Sequence, residues 1–280
     1  AQRPEVKLIE PDYKVKALED TLPWGVDRID AELVWNGTEN GTNVVAGRNA
    51  GDGINVSIID TGMDMDHPDL VDNIKGGHRF VDNGTTSDDD YMDDFGHGTH
   101  CAGIIAAVDN DIGVIGVSPH VSLYAVKVFK HYEDGYYAYV SDVVRGIEWA
   151  VDNGMKIISM SLGSNSYSAA LQDACDNTYN AGLLLVAAAG NDGNAEGTDD
   201  NVDYPARYDS VIAVAATDKN NKRAISQIWN SSTGPAIELA APGVSIFSTW
   251  WNDTYAISSG TSMACPHVAG LAALIRSYAP

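Results

Sequence analysis

The chain has 280 residues, with 39 acidic against 17 basic side chains and a formal charge of −22. That length suits one large domain with a sizeable core, and that charge excludes nucleic acid and anionic membrane surfaces as partners. Three cysteines cannot form a disulfide framework, no apolar run approaches the ~18 residues of a membrane span, and the N-terminus lacks a signal-peptide pattern.

Residues 1–18 are more basic than the rest and carry Pro4 and Pro11, which predicts an extended arm rather than a helix. Pro23-Trp24-Gly25 marks a turn into the main domain, 19–280. Strands are expected at Ile54–Ile59, Ser122–Phe129, Lys156–Gly163, Leu183–Asn191 and Ser210–Ala216. Helices are expected from Ser141 to a stop at Gly154, and from Ser168 to Ala181 before Gly182. The stretch Gly260 to Gly270, running on to Ile275, reads as a helix with a small, apolar second half that begins near Ser262, and Pro266 suits its first turn. Apolar strands alternating with helices predict an α/β fold of three αβα layers around a mostly parallel sheet. In such sheets the site lies beyond the carboxyl ends of the strands, where Asp60, Gly163 and Asn191 stand.

Ser262, at the mouth of the last helix, reads alone as an N-cap. A nucleophilic serine needs a base, and the base needs an orienting carboxylate. His97, flanked by Gly96 and Gly98, suits the base, and Asp60 at the end of a buried strand suits the orienter. His67, His100 and His267 read as packed or capping histidines, since none has partners at metal-ligand spacing.

Asp60-Thr61-Gly62, His97-Gly98-Thr99-His100 and the block Gly260 to Gly270 resemble the three signature blocks of the subtilisin-like serine proteases, in the same chain order. The similarity covers roughly residues 20 to 280. The resemblance implies a calcium-stabilised serine endopeptidase of broad specificity acting on proteins and peptides through an acyl-enzyme, with Asp60, His97 and Ser262 as triad and Asn191 as oxyanion donor. A dibasic-selective processing protease and a non-catalytic binding domain are the alternatives. It further implies substrate contacts at Ser161, Leu162, Gly163, Ala189, Gly190 and Thr261, with Tyr136, Tyr137 and Tyr139 near the opposite edge of the cleft. Asp192 beside Asn191 would weakly favour a basic side chain.

Calcium is the implied cofactor. The segment Val108 to Val114 resembles the family's calcium loop, which would supply Val108, Asn110, Ile112 and Val114 beside Asp20 and Asp69. Ala206, Tyr208 and Val211 resemble a second, weaker cation site, and the acidic run Asp82–Asp94 reads as either solvated or ordered by a further ion. Cys101 resembles the free cysteine of proteinase K-like relatives, and it and Cys265 are expected as packed thiols. The arm 1–18 resembles a propeptide remnant or an inhibitory extension, and the resemblance implies that the chain stops short of the family's usual C-terminus. A secreted monomer is expected, with an intracellular subtilisin as the alternative location.

Overall fold

Seven strands in one parallel sheet carry the molecule, and the computed structural model describes residues 20–38, 40–81 and 89–278. The N-terminal arm and residues 82–88 of the acidic run therefore lie outside the described residues. Two short helices, α1 (Trp24–Arg28) and α2 (Ala31–Trp35), lead into β1 (Asn55–Asp60), β2 (Ile74–Arg79) and α3 (His97–Ala106). Next come β3 (Ser122–Lys127), the hairpin of β4 (Lys130–Tyr132) and β5 (Gly135–Tyr137), and α4 (Val140–Asp152). Then follow β6 (Ile157–Met160), α5 (Ala169–Asn180), β7 (Leu184–Ala188), β8 (Val211–Thr217) and β9 (Ile237–Pro242). A second hairpin, β10 (Ile246–Trp250) and β11 (Thr254–Ser258), delivers the chain to α6 (Thr261–Tyr278).

The sheet order is β2-β3-β1-β6-β7-β8-β9. The chain builds to one side of β1 and then crosses to the other, so the order reverses between β1 and β6. Ligand crevices form at such switch points, beyond the strand carboxyl ends. Each central strand is apolar on both faces because both are covered. Val56 and Ile58 of β1 join the core under α3 and α6, while Ile59 joins the core under α4 and α5. A third cluster packs α1 and α2 against Val117 and the far end of α6. The α5 start at Ser168 follows the expected logic, its hydroxyl accepting from the Leu171 N–H at 3.3 Å.

Two features depart from the sequence reading. Edge strands β2 and β9 were not expected; Leu239 of β9 is exposed, and β2 contains Gly76 and Gly77, so neither strand shows a doubly buried apolar run. Pro266 sits at the sixth position of α6, not in its first turn. A proline there removes the N–H that would bond the Ser262 carbonyl four residues back. That carbonyl instead accepts from Ser161 Oγ at 2.7 Å and from Cys101 Sγ at 3.5 Å. The break in the helical ladder thereby ties α6 to the end of β6 and to α3.

Candidate active site

Asp60 ends β1 and is fully buried. Its Oδ1 accepts from the Thr61 N–H and from His97 Nδ1, both at 2.7 Å. Because Nδ1 faces a carboxylate, it carries the proton and leaves Nε2 bare. Gly98 is dictated by this approach, since a Cβ there would lie 2.1 Å from the Gly62 carbonyl oxygen. Burial pulls the His97 pKa down, but the charge of Asp60, its hydrogen bond and the charge of Asp93 outweigh that and raise it above 6.5. With 23 % of the side chain exposed, the imidazole is only partly desolvated, so the carboxylates decide the sign.

Ser262 is the second residue of α6, so its backbone N–H has no intrahelical acceptor. Its hydroxyl donates to the Ser161 carbonyl at 3.3 Å. The same residue is tied to the His97 helix through Cys101, one turn along α3. Asn191 follows β7. Its Oδ1 accepts from the Thr261 N–H at 3.0 Å and from Thr261 Oγ1 at 3.2 Å, which fixes the amide orientation and leaves Nδ2 free to donate. Thr261 Oγ1 also accepts from the Gly190 N–H. Thr261 is fully buried and braces Asn191 through these bonds, while Ala189 is buried in the core under α4 and α5. Leu162 is half-buried and Gly163 exposed at the rim, beside the buried Ser161.

Asp93 is a residue that the sequence reading left in the acidic run. It is buried, and its Oδ1 accepts from Thr61 Oγ1 (2.8 Å), Phe95 N (3.0 Å) and Gly96 N (2.9 Å). Its Oδ2 accepts from Thr99 N (2.9 Å) and Thr99 Oγ1 (2.6 Å). It caps the helix that begins with His97, and although burial alone would raise its pKa, these donors lower it. The only hint in the sequence is an aspartate four residues ahead of a helix start. Asp94 accepts from Lys127 Nζ at 2.7 Å and from the Tyr136 hydroxyl at 2.5 Å. Tyr136 stacks on Phe95, ring centres 4.6 Å apart, so the β4–β5 hairpin flanks the His97 side of the site. Buried Asp93 is held by protein donors, contrary to the expectation of a solvated or ion-ordered run, whereas the Asp94 side chain is exposed as that expectation has it.

The three other histidines with assigned structural roles keep them. His100 Nε2 bonds the Ile246 and Ala256 carbonyls, His67 bonds Thr254, and His267 bonds Met263. Burial lowers His100 and His267 to about 4, so neither carries charge at neutral pH. Cys101, Cys175 and Cys265 are buried and unpaired. Burial, then the charge of Asp60, pushes the Cys101 thiol well above its usual range, so it is not a competing nucleophile.

Asp20 and Asp69 meet around the loop 108–114. Asp20 Oδ2 accepts from Asn110 N at 3.2 Å, and Asp69 Oδ2 accepts from Val114 N at 3.0 Å and the Tyr255 hydroxyl at 3.2 Å. The second oxygen of each, Oδ1, is buried without any hydrogen-bond partner. Burial, with mutual repulsion in the case of Asp69, raises the two acids to about 6 and about 7. Among the described residues the carbonyls of Val108, Ile112 and Val114 also accept no hydrogen bond. Ala206 and Tyr208 lie in the turn that leads into β8 at Val211, closed by its own bonds, Tyr208 N to Pro205 O and Val211 N to Tyr208 O.

A buried aspartate holding an imidazole at the switch point of a parallel sheet, beside a helix-mouth serine and a pre-oriented amide, defines a serine hydrolase. A family model described as the Subtilase family matches residues 51–280. "Thermostable alkaline protease" of Halalkalibacterium halodurans is 46% identical over 277 residues, 99% of this chain and 68% of the relative. "Subtilisin DY" of Bacillus licheniformis is 48% identical over 261 residues, 93% and 86% of the two chains. "Subtilisin amylosacchariticus" of Bacillus subtilis subsp. amylosacchariticus is 44% identical over 277 residues, 99% and 67%. The chain belongs to the subtilase family and is a subtilisin-like serine endopeptidase.

Proposed function

We propose that Ser262, His97 and Asp60 are the nucleophile, base and orienter of this endopeptidase, with Asn191 and the Ser262 N–H as oxyanion donors. The observation that carries this reading is the 2.7 Å bond from His97 Nδ1 to buried Asp60, which leaves Nε2 free to take a proton. The Ser262 hydroxyl swings from the Ser161 carbonyl to His97 and attacks the scissile carbonyl carbon, and its proton passes to Nε2. Asn191 Nδ2 and the Ser262 N–H stabilise the oxyanion. His97 then returns the proton to the leaving amine, giving an acyl-enzyme that water hydrolyses by the reverse relay. An extended peptide lies along the exposed rim at 162–163 as an added strand, which makes segments of other proteins the substrates. An organophosphonate should label the wild-type chain at Ser262 and leave Ser262→Ala unlabelled. An active chain labelled elsewhere would refute the assignment.

Calcium fits the Asp20–Asp69 site, because an oxygen-preferring dication satisfies both orphaned carboxylate oxygens and cancels their repulsion. Asp20, Asp69, the Asn110 side chain and the carbonyls of Val108, Ile112 and Val114 would hold it. The ion's contribution is structural: it pins the loop that follows α3. A structural ion of this kind suits work outside the cell, where calcium is abundant, and no helix among the described residues is long and apolar enough to cross a membrane. Residues 1–18 are proposed to regulate the cleft, their basic character matching an acidic domain. Mapping the N-terminus of active enzyme tests this, and full activity with the arm intact would overturn it.

A further inference from the structure

His97 and Cys101 stand at i and i+4 of α3, one turn apart, so their side chains leave the helix on the same face. Asp60, the last residue of β1, meets that face. One ring nitrogen of His97, one carboxylate oxygen of Asp60 and Cys101 Sγ lie within 4.8 Å of one another. The nitrogen turned toward the aspartate is Nδ1, 2.7 Å from Asp60 Oδ1. Asp60 and Cys101 are wholly buried, and the partly exposed imidazole separates them from solvent.

Two atoms of this group have capacity to spare. Asp60 Oδ2 is buried with no hydrogen-bond partner among the described residues. Cys101 Sγ donates to the Ser262 carbonyl across 3.5 Å, and that carbonyl already holds a shorter bond from Ser161 Oγ at 2.7 Å. The thiol proton can therefore leave without orphaning its acceptor. Burial and the charge of Asp60 keep the thiol protonated in the free enzyme. A dication reverses that balance, because it offsets the carboxylate and the thiolate together. One sulfur, one imidazole nitrogen and one carboxylate oxygen suit a zinc-type ion, whereas calcium takes oxygens alone.

We propose that Asp60, His97 and Cys101 form an inhibitory zinc site beneath the base, a control on the endopeptidase that rests on the catalytic reading above. Zinc takes Cys101 Sγ, Asp60 Oδ2 and His97 Nδ1, with water in the fourth position. Cys101 releases its proton to solvent. His97 stays neutral: Nδ1 gives its lone pair to the ion, and the ring proton moves to Nε2. Nε2 then carries a proton and cannot accept one from Ser262, so the base is switched off. None of the three ligands lies on the exposed rim at 162–163, so the loss falls on kcat and not on KM.

Peptidase kinetics, organophosphonate labelling of Ser262 and absorbance with cobalt in place of zinc test the site on the calcium-saturated enzyme. The proteins are wild type, Cys101→Ser, Cys101→Ala and Cys175→Ser, the last a control thiol in α5. In wild type and Cys175→Ser, zinc should lower kcat at constant KM and block labelling, reversibly on dialysis, and cobalt should give a thiolate charge-transfer band. The Cys101 variant that labels without metal should lose the band. It should also need at least about 10-fold more zinc for half-inhibition, since even an outer-shell partner of a metal is worth 10–100-fold. An unaffected wild type, an effect on KM alone, no band, or equal zinc sensitivity in the Cys101 variants would overturn the site and leave the endopeptidase reading intact. A metal-free wild type that fails to label at Ser262 would overturn both.

Discussion

Replacing Asp93 by alanine removes a carboxylate that accepts five hydrogen bonds ahead of the His97 helix. The hydroxyls of Thr61 and Thr99 can turn to other acceptors, and the Phe95 N–H lies where water can reach it. The N–H groups of Gly96 and Thr99 are buried and fixed by the backbone, so both are orphaned. Each such donor costs about 1–3 kcal/mol, or about 2–6 kcal/mol together. Relief of the burial penalty on the carboxylate offsets part of this, leaving about 2–4 kcal/mol. For a domain of this size about 1 kcal/mol corresponds to roughly 2 °C, so Tm should fall by roughly 4–8 °C in calorimetry at fixed scan rate and calcium concentration. The sign of the pH dependence follows from the lowered pKa of Asp93. Its stabilisation is fully present above the ordinary carboxylate range and is lost as pH falls through the depressed folded value. The gap in Tm between wild type and variant should therefore be constant near neutrality and narrow only in strong acid. A variant that melts within about 1 °C of wild type at neutral pH would refute the capping role.

Asn191→Ala should lower kcat by about 10²–10³ with little change in KM, the loss known for one such donor in this family; an unchanged kcat in steady-state assays would remove Asn191 from the oxyanion site. The acid limb of kcat/KM should titrate above 6.5, because His97 must be neutral to accept a proton and Asp60 and Asp93 hold its pKa up. A limb at or below 6.5 in pH–rate profiles would contradict that balance. Chelation by EGTA should lower Tm, with recovery on adding calcium, and Asp69→Asn should blunt both responses; equal Tm with and without the chelator would sink the calcium assignment.

The local pattern of the chain was enough for the central strands and major helices. Val56, Ile58 and Ile59 are apolar in succession because both sheet faces are covered, and a run of that kind is visible in one dimension. The residues proposed as triad and oxyanion donor could be singled out in the sequence too, since each stands beside a glycine or a helix start, at Asp60, His97, Asn191 and Ser262. Edge strands β2 and β9 were not, because a strand covered on one side or at one end needs no continuous apolar run. Long-range partnership was also beyond reach of the sequence. Nothing around Asp93 announces that its five donors come from Thr61 and residues 95–99, and nothing around Pro266 says that the carbonyl it frees is taken by Cys101 and Ser161. Periodicity is a property of neighbours along the chain, whereas a carboxylate's partner depends on which distant segments the packed sheet brings within about 3 Å of it.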